Sequence, residues 1–288
     1  MNYIIFDLEW NNAYNYKTKK GMNEIIEIGA VKLDSRLEIV DTFKQLIKPR
    51  LSKKLGGRFK NLTNISMEEI NENGIDFDDA FSDFARWGRG ENNIFLSWSK
   101  SDLYTLVDNF VKFKGTTHID FIEKYADVQE YCMQFIENHN GNQISLSHCA
   151  ELFEIDLSNQ NLHRALEDCF AEAYCFKKVF DREKFSDYIN ECDKTYFERL
   201  VYKPHYLSPS DKEFNILDIS FVCPDCKGNI DVLKDYDYVN KAFRSAGKCV
   251  QCNKKFWIFV RAKQNYDDIA VTKKLIEINK RRARYIIK

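Results

Sequence analysis

Residues 3–10 read YIIFDLEW, and this stretch governs how the rest of the chain is interpreted. It is rich in β-branched and aromatic side chains and lacks helical spacing, which predicts a β-strand. Asp7 and Glu9 are two residues apart on that strand, so both carboxylates leave the same face, with Cα atoms about 6–7 Å apart. A buried pair of this kind needs a compensating partner, such as a hard divalent cation. The alternative is an edge strand whose polar face lies in water.

The segments around this strand predict alternating strands and helices. Residues 24–34 and 38–49 are predicted strands joined by a hairpin turn at 34–36, and residues 51–61 are a predicted mobile loop. The remaining predictions are helices at 67–88, 102–111, 145–154 and 164–180, a strand at 92–97, and a strand end followed by a helix at 118–125. This order indicates an α/β protein with a mixed sheet flanked by helices.

Two later motifs add candidate site residues. Asp102, in WSKSDLYTL, falls where a predicted strand gives way to a helix, which is also a favourable position for helix capping. His163 and Asp168, in HRALED, would point about 140° apart on one regular helix. They converge only if His163 precedes the helix, which the turn-forming NQN at 159–161 allows. Otherwise, His163 is a surface residue or an ordinary hydrogen-bonding partner.

Taken together, these motifs resemble the DEDDh branch of the DnaQ-like 3′→5′ exonucleases, which have an RNase H-like fold. FDLEW matches the first motif, SWSKSDLYTL the second and HRALEDCFAEAYCF the third, and IIEIGAVKLD is similar to the second strand of the family. LTNIS at 62–66 is similar to the family's LTGI[ST] loop, with Asn64 in place of glycine. The W-x-K-x-D motif and ADVQEY are most similar to the RNA-trimming group that includes the histone-mRNA exonuclease and KapD-like bacterial proteins. The resemblance covers about residues 1–182.

The resemblance implies a set of roles for these residues. Two Mg²⁺ or Mn²⁺ ions, about 3.5–4 Å apart, would be bound by four carboxylates: Asp7, Glu9, Asp102 and Asp168. His163 would be the general base that deprotonates a water molecule, and the product would be a 5′-mononucleotide. The substrate end would be held by five residues: Trp10, Leu62, Thr63, Ile65 and Trp98. Core packing is the alternative role for Trp98.

We therefore expect a metal-dependent 3′→5′ exonuclease that acts on single-stranded nucleic acid, with RNA favoured over DNA. A DNA-directed exonuclease is one alternative. A non-catalytic nucleic-acid-binding protein that retains the fold is another. Nucleotide release with Mg²⁺ or Mn²⁺, compared with release in EDTA, separates the enzyme from the non-catalytic protein.

Four of the nine cysteines form a second motif. VCPDCKG at 222–228 and KCVQCNK at 248–254 give the spacing C-x₂-C-x₂₂-C-x₂-C, which is typical of a Cys₄ zinc ribbon. One structural Zn²⁺ is therefore expected on four thiolates: Cys223, Cys226, Cys249 and Cys252. An iron–sulfur cluster or redox-active pairs are the alternatives.

The other five cysteines occur singly, which does not match the disulfide framework of a small secreted protein: Cys132, Cys149, Cys169, Cys175 and Cys192. The N-terminal residues have no signal-peptide pattern, and no apolar run approaches the roughly 20 residues of a membrane span. We therefore expect a cytoplasmic protein without a membrane segment.

Formal charge is divided unevenly along the chain. Residues 1–199 hold 25 basic and 34 acidic side chains, a net charge of −9, whereas residues 200–288 hold 18 and 10, a net charge of +8. The basic part is predicted to meet a polyanion, although two ordinary domains with different surfaces would also give this division. Phe243, Phe256 and Trp257 lie between basic residues, where they would either stack on bases or form the core of the ribbon.

Four regions follow from these patterns: an exonuclease domain at 1–182, a connector at 183–215, a zinc ribbon at 216–263 and a basic helix at 264–288. The helix would bind a nucleic acid backbone, or it would dock on the exonuclease domain through Leu275, Ile276 and Ile286.

Overall fold

The computed structural model describes residues 1–15, 20–137, 143–158 and 163–278. The chain divides into two compact units, Met1–Val201 and Tyr202–Lys288. Each unit has its own sheet and its own apolar core. In the part of the chain that the structure describes, no helix has the length and apolar character needed to cross a membrane.

Six strands form the sheet of the first unit: β1 (Tyr3–Asn15), β2 (Lys20–Leu33), β3 (Ile39–Leu46), β4 (Ile94–Ser97), β5 (Lys124–Asp127) and β6 (Asn190–Glu191). Their spatial order is β3-β2-β1-β4-β5-β6, with β1 antiparallel to β2 and parallel to β4. The helices are α1 (Gly57–Thr63), α2 (Met67–Asn73), α3 (Phe77–Gly88), α4 (Ser101–Lys114), α5 (Val128–Met133), α6 (Leu146–Leu152), α7 (Ala165–Val179), α8 (Arg182–Ser186) and α9 (Lys194–Val201). This mixed sheet flanked by helices confirms the predicted fold class.

Strand β1 lies at the centre of the sheet because both of its faces are apolar. Ile4 and Phe6 pack into the core that includes α3 and α4, whereas Tyr3 and Ile5 pack into the core that includes α7. Successive side chains of a strand alternate between faces. The two acidic residues of β1 continue the face of Tyr3 and Ile5, so they point towards α7.

The β1–β2 hairpin contains a bulge beside the acidic residues. Glu9 pairs with Glu27, but the next residue, Trp10, pairs with Ile25, so Ile26 is the extra residue. A bulge of this kind bends the strand and increases its local twist.

Two local predictions in the first unit are wrong. The predicted loop at 51–61 includes the start of α1, because Leu55 and Phe59 are buried and anchor this segment in a small apolar core. A strand end followed by a helix was predicted at 118–125, but residues 118–123 form neither; strand β5 begins at Lys124, and the next helix begins at Val128.

The predicted connector at 183–215 is divided between the two units. Strand β6 pairs with β5, and Phe197 of α9 is fully buried in the core of the first unit. The boundary therefore falls between Val201 and Tyr202, not after residue 182.

The second unit is a sheet built around the two cysteine pairs. Its elements are β7 (His205–Tyr206), a 3₁₀ helix (Ile216–Asp218), β8 (Ile230–Val232), β9 (Asp237–Val239), β10 (Ala242–Cys249), β11 (Lys255–Gln264) and β12 (Ile269–Glu277). The main order is β12-β11-β10-β8, and β7 and β9 add to β11 and β10. Phe243 and Phe256 are almost fully buried in this core, which supports the core role over base stacking for both.

The predicted basic helix at 264–288 is wrong over the described residues. Strand β12 pairs with β11 along its whole length, from Ile269 opposite Gln264 to Glu277 opposite Phe256. This ladder satisfies the backbone of a segment in which four of nine residues are β-branched, a composition that suits a strand. Leu275 packs against the core of its own unit. Residues 279–288, including Ile286, lie outside the described residues.

Candidate active site

Three carboxylates from two elements converge in the first unit. Asp7 and Glu9 come from β1, and Asp168 comes from the first turn of α7. One oxygen atom from each side chain lies within 4.8 Å of the others, and all three residues are half-buried. This spacing allows the three residues to share a metal ion, because divalent cations such as Mg²⁺ bind carboxylate oxygens.

A single glycine permits this convergence. Gly29 of β2 pairs with Asp7, and a Cβ atom added at Gly29 would lie 2.2 Å from the backbone nitrogen of Leu166 and 2.3 Å from the carbonyl carbon of Ala165. The first turn of α7 therefore lies directly on β2, where only a residue without a side chain fits. This close approach brings Asp168 to the acidic face of β1.

His163 lies just before α7, as the motif required. Its φ angle is +76°, and α7 begins two residues later, at Ala165. The backbone N–H of His163 donates to both carboxylate oxygens of Asp168, at 3.2 and 3.3 Å. The side chain is exposed, so its imidazole is accessible to a substrate. The NQN segment at 159–161 lies outside the described residues.

Asp102 is buried beside this trio but is not part of it. Its Oδ1 accepts a hydrogen bond from the backbone N–H of Leu8 at 3.1 Å, between the two acidic residues of β1. Helix α4 has Lys100 at its N-cap position, without a side-chain cap. Asp102 is thus tied to β1, and the structure does not use it as the helix cap.

Burial, and then the charges of neighbouring carboxylates, raise the pKa values of the acidic residues. Desolvation, followed by the charge of Asp168, raises the pKa of Glu9 to about 8. Desolvation is also the main cause that raises the pKa of Asp102 to about 7 and the pKa of Asp7 well above its usual range. Desolvation raises the pKa of Asp168 too, although the hydrogen bond from His163 opposes the shift. Without cations, this site therefore retains protons at neutral pH.

A buried ion pair that the motif analysis missed holds the start of α7. Glu27 lies opposite Glu9 in the hairpin and is completely buried. It accepts hydrogen bonds from the Arg164 side chain, at 2.7 to 3.2 Å, and from the Ala165 backbone at 3.1 Å. Arg164 also bonds Glu69 at 3.0 Å. Glu9 and Glu27 face each other across the hairpin, and like charges in that position are destabilising unless a cation lies nearby. That pairing was the signal for Arg164.

Glu172 is a second residue that the motifs did not reveal. It lies one helical turn after Asp168 and is completely buried, and among the described residues its side-chain oxygens make no hydrogen bond of good geometry, with the Trp98 backbone N–H as the nearest donor. Desolvation, followed by the charges of Asp102 and Asp168, raises its pKa well above the usual range. Its spacing from Asp168 was the available signal, since residues four apart share a helix face.

The five predicted substrate contacts divide by exposure. Leu62 is 46% exposed, whereas Thr63 and Ile65 are each 1% exposed. The Thr63 hydroxyl donates to the Phe59 carbonyl and accepts from the Ile65 N–H, so both residues build the loop and their side chains are not available to a substrate. Asn64 has a φ of +56°, a left-handed conformation that asparagine tolerates where the family has glycine.

The two tryptophans are half-buried. Trp10 and Trp98 pack against different apolar cores of the first unit. The Trp98 indole N–H donates to the Ile144 carbonyl at 3.3 Å, which supports its packing role.

The four paired cysteines form a separate site in the second unit. Their four Sγ atoms all lie within 4.8 Å of one another. The Cys223–Cys252 and Cys226–Cys249 sulfur distances are 3.7 and 3.3 Å. Four sulfurs at 2.3 Å from one tetrahedral ion would be about 3.8 Å apart, so the donor set fits zinc. The backbone N–H of Cys252 is the main cause that lowers the pKa of Cys249 to about 6.

The fold and the acidic site define an exonuclease. Residues 4–176, more than half of the chain, match the family model described as RNase_T: Exonuclease. The chain belongs to this family, which confirms the family expected from the motifs, and it is a nuclease, a phosphodiester hydrolase.

Among individual proteins, the chain is similar to the probable 3′-5′ exonuclease KapD of Bacillus subtilis (strain 168), with 27% identity over 200 residues, 68% of this chain and 87% of that protein. Its fold is similar to the nuclease domain of 3′hExo, a DEDDh family member bound to rAMP, with a TM-score of 0.53 and 19% identity, covering 67% of this chain and 97% of that one. Its fold is also similar to that of a 3′-exonuclease whose structure shows 3′-end specific recognition of a histone mRNA stem-loop. The TM-score is 0.53 and the identity 18%, and the match covers 62% of each chain.

Proposed function

We propose that this protein is a metal-dependent 3′→5′ exonuclease that degrades single-stranded nucleic acid, RNA in preference to DNA, to 5′-mononucleotides. The observation that carries the proposal is the convergence of Asp7, Glu9 and Asp168, with Asp102 buried beside them and His163 exposed at the entrance to α7. Four carboxylates and an accessible imidazole are the groups that metal-assisted phosphodiester hydrolysis requires.

The donor set suits two Mg²⁺ or Mn²⁺ ions, which would neutralise charge on the phosphate and activate a water molecule. Asp7, Glu9, Asp102 and Asp168 are the proposed ligands. His163 takes the proton from the attacking water, and its backbone N–H bonds Asp168. The pair of Arg164 and Glu27 holds the start of α7 against β2, which positions the proposed base beside a proposed ligand.

Leu62 and Trp10 are the proposed contacts for the last nucleotides, because Leu62 is exposed and Trp10 follows Glu9 directly on β1. The relatives support RNA as the substrate, since one recognises a histone mRNA stem-loop and another binds rAMP. An RNA preference would arise from contacts with the 2′-hydroxyl group.

The second unit is proposed to hold one structural Zn²⁺ on its four cysteines and to add affinity for the nucleic acid through its net charge of +8. The cytoplasm remains the proposed location, because the five single cysteines are all buried and unpaired.

Labelled RNA and DNA oligonucleotides, digested side by side with Mg²⁺, Mn²⁺ or EDTA, test the proposal. We expect 5′-mononucleotides released from the 3′ end, faster from RNA, and no release in EDTA. His163→Ala should lower kcat by roughly 10²–10⁴-fold with little change in substrate binding. His148 is an exposed histidine on α6, so His148→Ala is the matched control, and its kcat should equal that of the unmodified protein. Binding without nucleotide release under every metal condition would instead identify a non-catalytic nucleic-acid-binding protein.

A further inference from the structure

A basic segment beside the acidic site has no role in the reaction described above. Residues 50–60 read RLSKKLGGRFK. They lie in the connection that follows β3 and include the first turn of α1. Lys53, Lys54 and Arg58 are all exposed, and in the described parts of the chain no carboxylate pairs with any of them. Lys60 is set apart because it already has an acidic neighbour, Glu68. The pKa of Glu68 is lowered by backbone and Ser66 hydrogen bonds, and then by the charge of Lys60. We call Lys53, Lys54 and Arg58 the cationic segment.

Buried side chains of the β1–β2 hairpin hold this segment in place. Glu24 is 1% exposed, and its carboxylate accepts hydrogen bonds from the backbone N–H groups of Arg50, Leu51 and Ser52, at 2.7, 2.7 and 2.9 Å. Its cross-strand partner in the hairpin is Asn11. A buried carboxylate satisfied by three backbone donors fixes the path of the segment that provides them.

Asn11 fixes the following residues in the same way. Its Oδ1 accepts from the Gly56 N–H at 2.8 Å, and its Nδ2 donates to the Ser52 hydroxyl at 3.0 Å and to the Lys54 carbonyl at 3.4 Å. The apolar side chain of Leu55 then anchors the chain in a small core. The cationic segment is therefore an ordered surface whose backbone is held while its charged ends remain free.

The position of the segment relative to the acidic site indicates its ligand. Asn11 is two residues beyond Glu9 on β1, a distance of about 7 Å along the strand. Helix α1, which carries Arg58, also carries the exposed Leu62. The segment is positive although residues 1–199 have a net charge of −9, so its sign differs from that of its surroundings. Unpaired cations held beside a phosphodiester-cleaving site are suited to bind the phosphates of the same strand.

We propose that Lys53, Lys54 and Arg58 form a binding site for the sugar-phosphate backbone of a single strand, on the 5′ side of the nucleotide being removed. This site rests on the proposed exonuclease function for its substrate. It would increase the affinity for strands of several nucleotides, and it would leave the chemical step unchanged.

The test uses the full-length protein with a triple variant, Lys53→Gln/Lys54→Gln/Arg58→Gln. The matched control is Arg89→Gln/Lys112→Gln/Lys178→Gln, which removes three other exposed cations that have no acidic partner among the described residues. Lys112 and Lys178 lie near the C-terminal ends of α4 and α7, and both helices meet the site at their N-terminal ends. Both sets of side chains are exposed, so neither variant should melt at a lower temperature than the unmodified protein.

We expect the triple variant to raise KM for a 20-nucleotide strand roughly tenfold, with kcat and the KM of a dinucleotide unchanged. The plot of log KM against log salt should become shallower by about 0.7 for each phosphate that the variant no longer neutralises. The control variant should match the unmodified protein. An unchanged KM and salt slope in the triple variant would overturn the proposal.

Binding of a fluorescent strand without added Mg²⁺ or Mn²⁺, and without a chelator that would remove zinc, separates this proposal from the proposed function. If the unmodified protein shows no exonuclease activity, the proposed function fails, but weaker binding by the triple variant alone would still support the site. Asn11→Ala keeps every charge and releases the backbone. It should weaken binding while the salt slope stays the same, whereas unchanged binding would show that the segment does not need to be held.

Discussion

The acidic site of the first unit and the cysteine site of the second are assembled by different means. Asp7, Glu9 and Asp168 are brought together by a packed sheet and helix, and their mutual repulsion is balanced by the cores around them. The cysteines lie on two short turns in a unit with a small core. Packing therefore positions the carboxylates of the first unit, whereas we expect the second unit to depend on the proposed Zn²⁺ to stabilise its two turns.

Metal removal should give the largest contrast between the two units. Structural Zn²⁺ in small domains contributes about 10 kcal/mol or more, so stripping it should unfold the second unit and leave the first folded. Limited proteolysis after chelation, with the metal content measured in parallel, would report this. Re-addition of Zn²⁺, but not Mg²⁺, should restore resistance. Protease resistance that is independent of bound zinc would mean that the second unit folds on its core alone.

A carboxylate variant should produce the opposite pattern, with activity lost and stability kept. Asp7→Asn removes a proposed ligand of the metal ions that the reaction requires, so turnover should be abolished. The melting temperature without metal should stay the same or rise, because a buried carboxyl group whose ionised form is disfavoured by desolvation is gone. Asp108→Asn, at an exposed position of α4, is the control. Mg²⁺-dependent turnover that survives in Asp7→Asn would remove this residue from the metal site.

The stability of the metal-free first unit should decrease with rising pH. Glu9, Asp102 and Glu172 all have pKa values raised by burial, so the folded state holds more protons than the unfolded state. The stabilising contribution of Glu9 and Asp102 is complete below about pH 4 and is lost as the pH rises through their folded-state pKa values of about 8 and about 7. The melting temperature of the first unit should therefore decrease more between pH 5 and 8 in EDTA than it does over the same pH range with Mn²⁺. Equal slopes with and without Mn²⁺ would contradict this account.

The smallest expected effect is at Glu172, whose buried side-chain oxygens make no hydrogen bond of good geometry among the described residues. Glu172→Met keeps the volume and removes the carboxyl group, so the free energy of unfolding at pH 8 should rise by about 1–3 kcal/mol. Urea denaturation measures the difference, and Glu151→Met, at an exposed position, should give almost none. A destabilised Glu172→Met variant would indicate that the carboxyl group has a partner in the folded protein.

The motifs predicted what depends on local spacing. Asp7 and Glu9 share a face because a strand repeats every two residues, and His163 precedes α7 because no regular helix could point it at Asp168. The family and the fold class followed from the order of these motifs. The cysteine pairs were equally local, since each C-x-x-C turn brings two sulfurs together.

What the sequence did not reveal depends on contacts between distant segments. Strand β12 mixes β-branched residues with Lys, Leu and Ala, so its own composition does not decide between helix and strand, and the complete ladder with β11 does. The bond between Arg164 and Glu27 joins residues 137 positions apart. The burial of Thr63 likewise depends on how α1 packs, which its own motif does not specify.

The bulge at Ile26 also affects which insertions and deletions the gene can tolerate. It lies between Glu27, which binds the start of α7, and Glu24, which binds the cationic segment. Deleting Ile26 would keep the remaining pairs in register, with Glu27 opposite Glu9 and Ile25 opposite Trp10, but it would remove the bend and the extra twist of the bulge. The direction in which Glu24 approaches the backbone of residues 50–52 would then change relative to Glu27. A loss of one codon here would therefore displace the cationic segment without changing any residue of the acidic site.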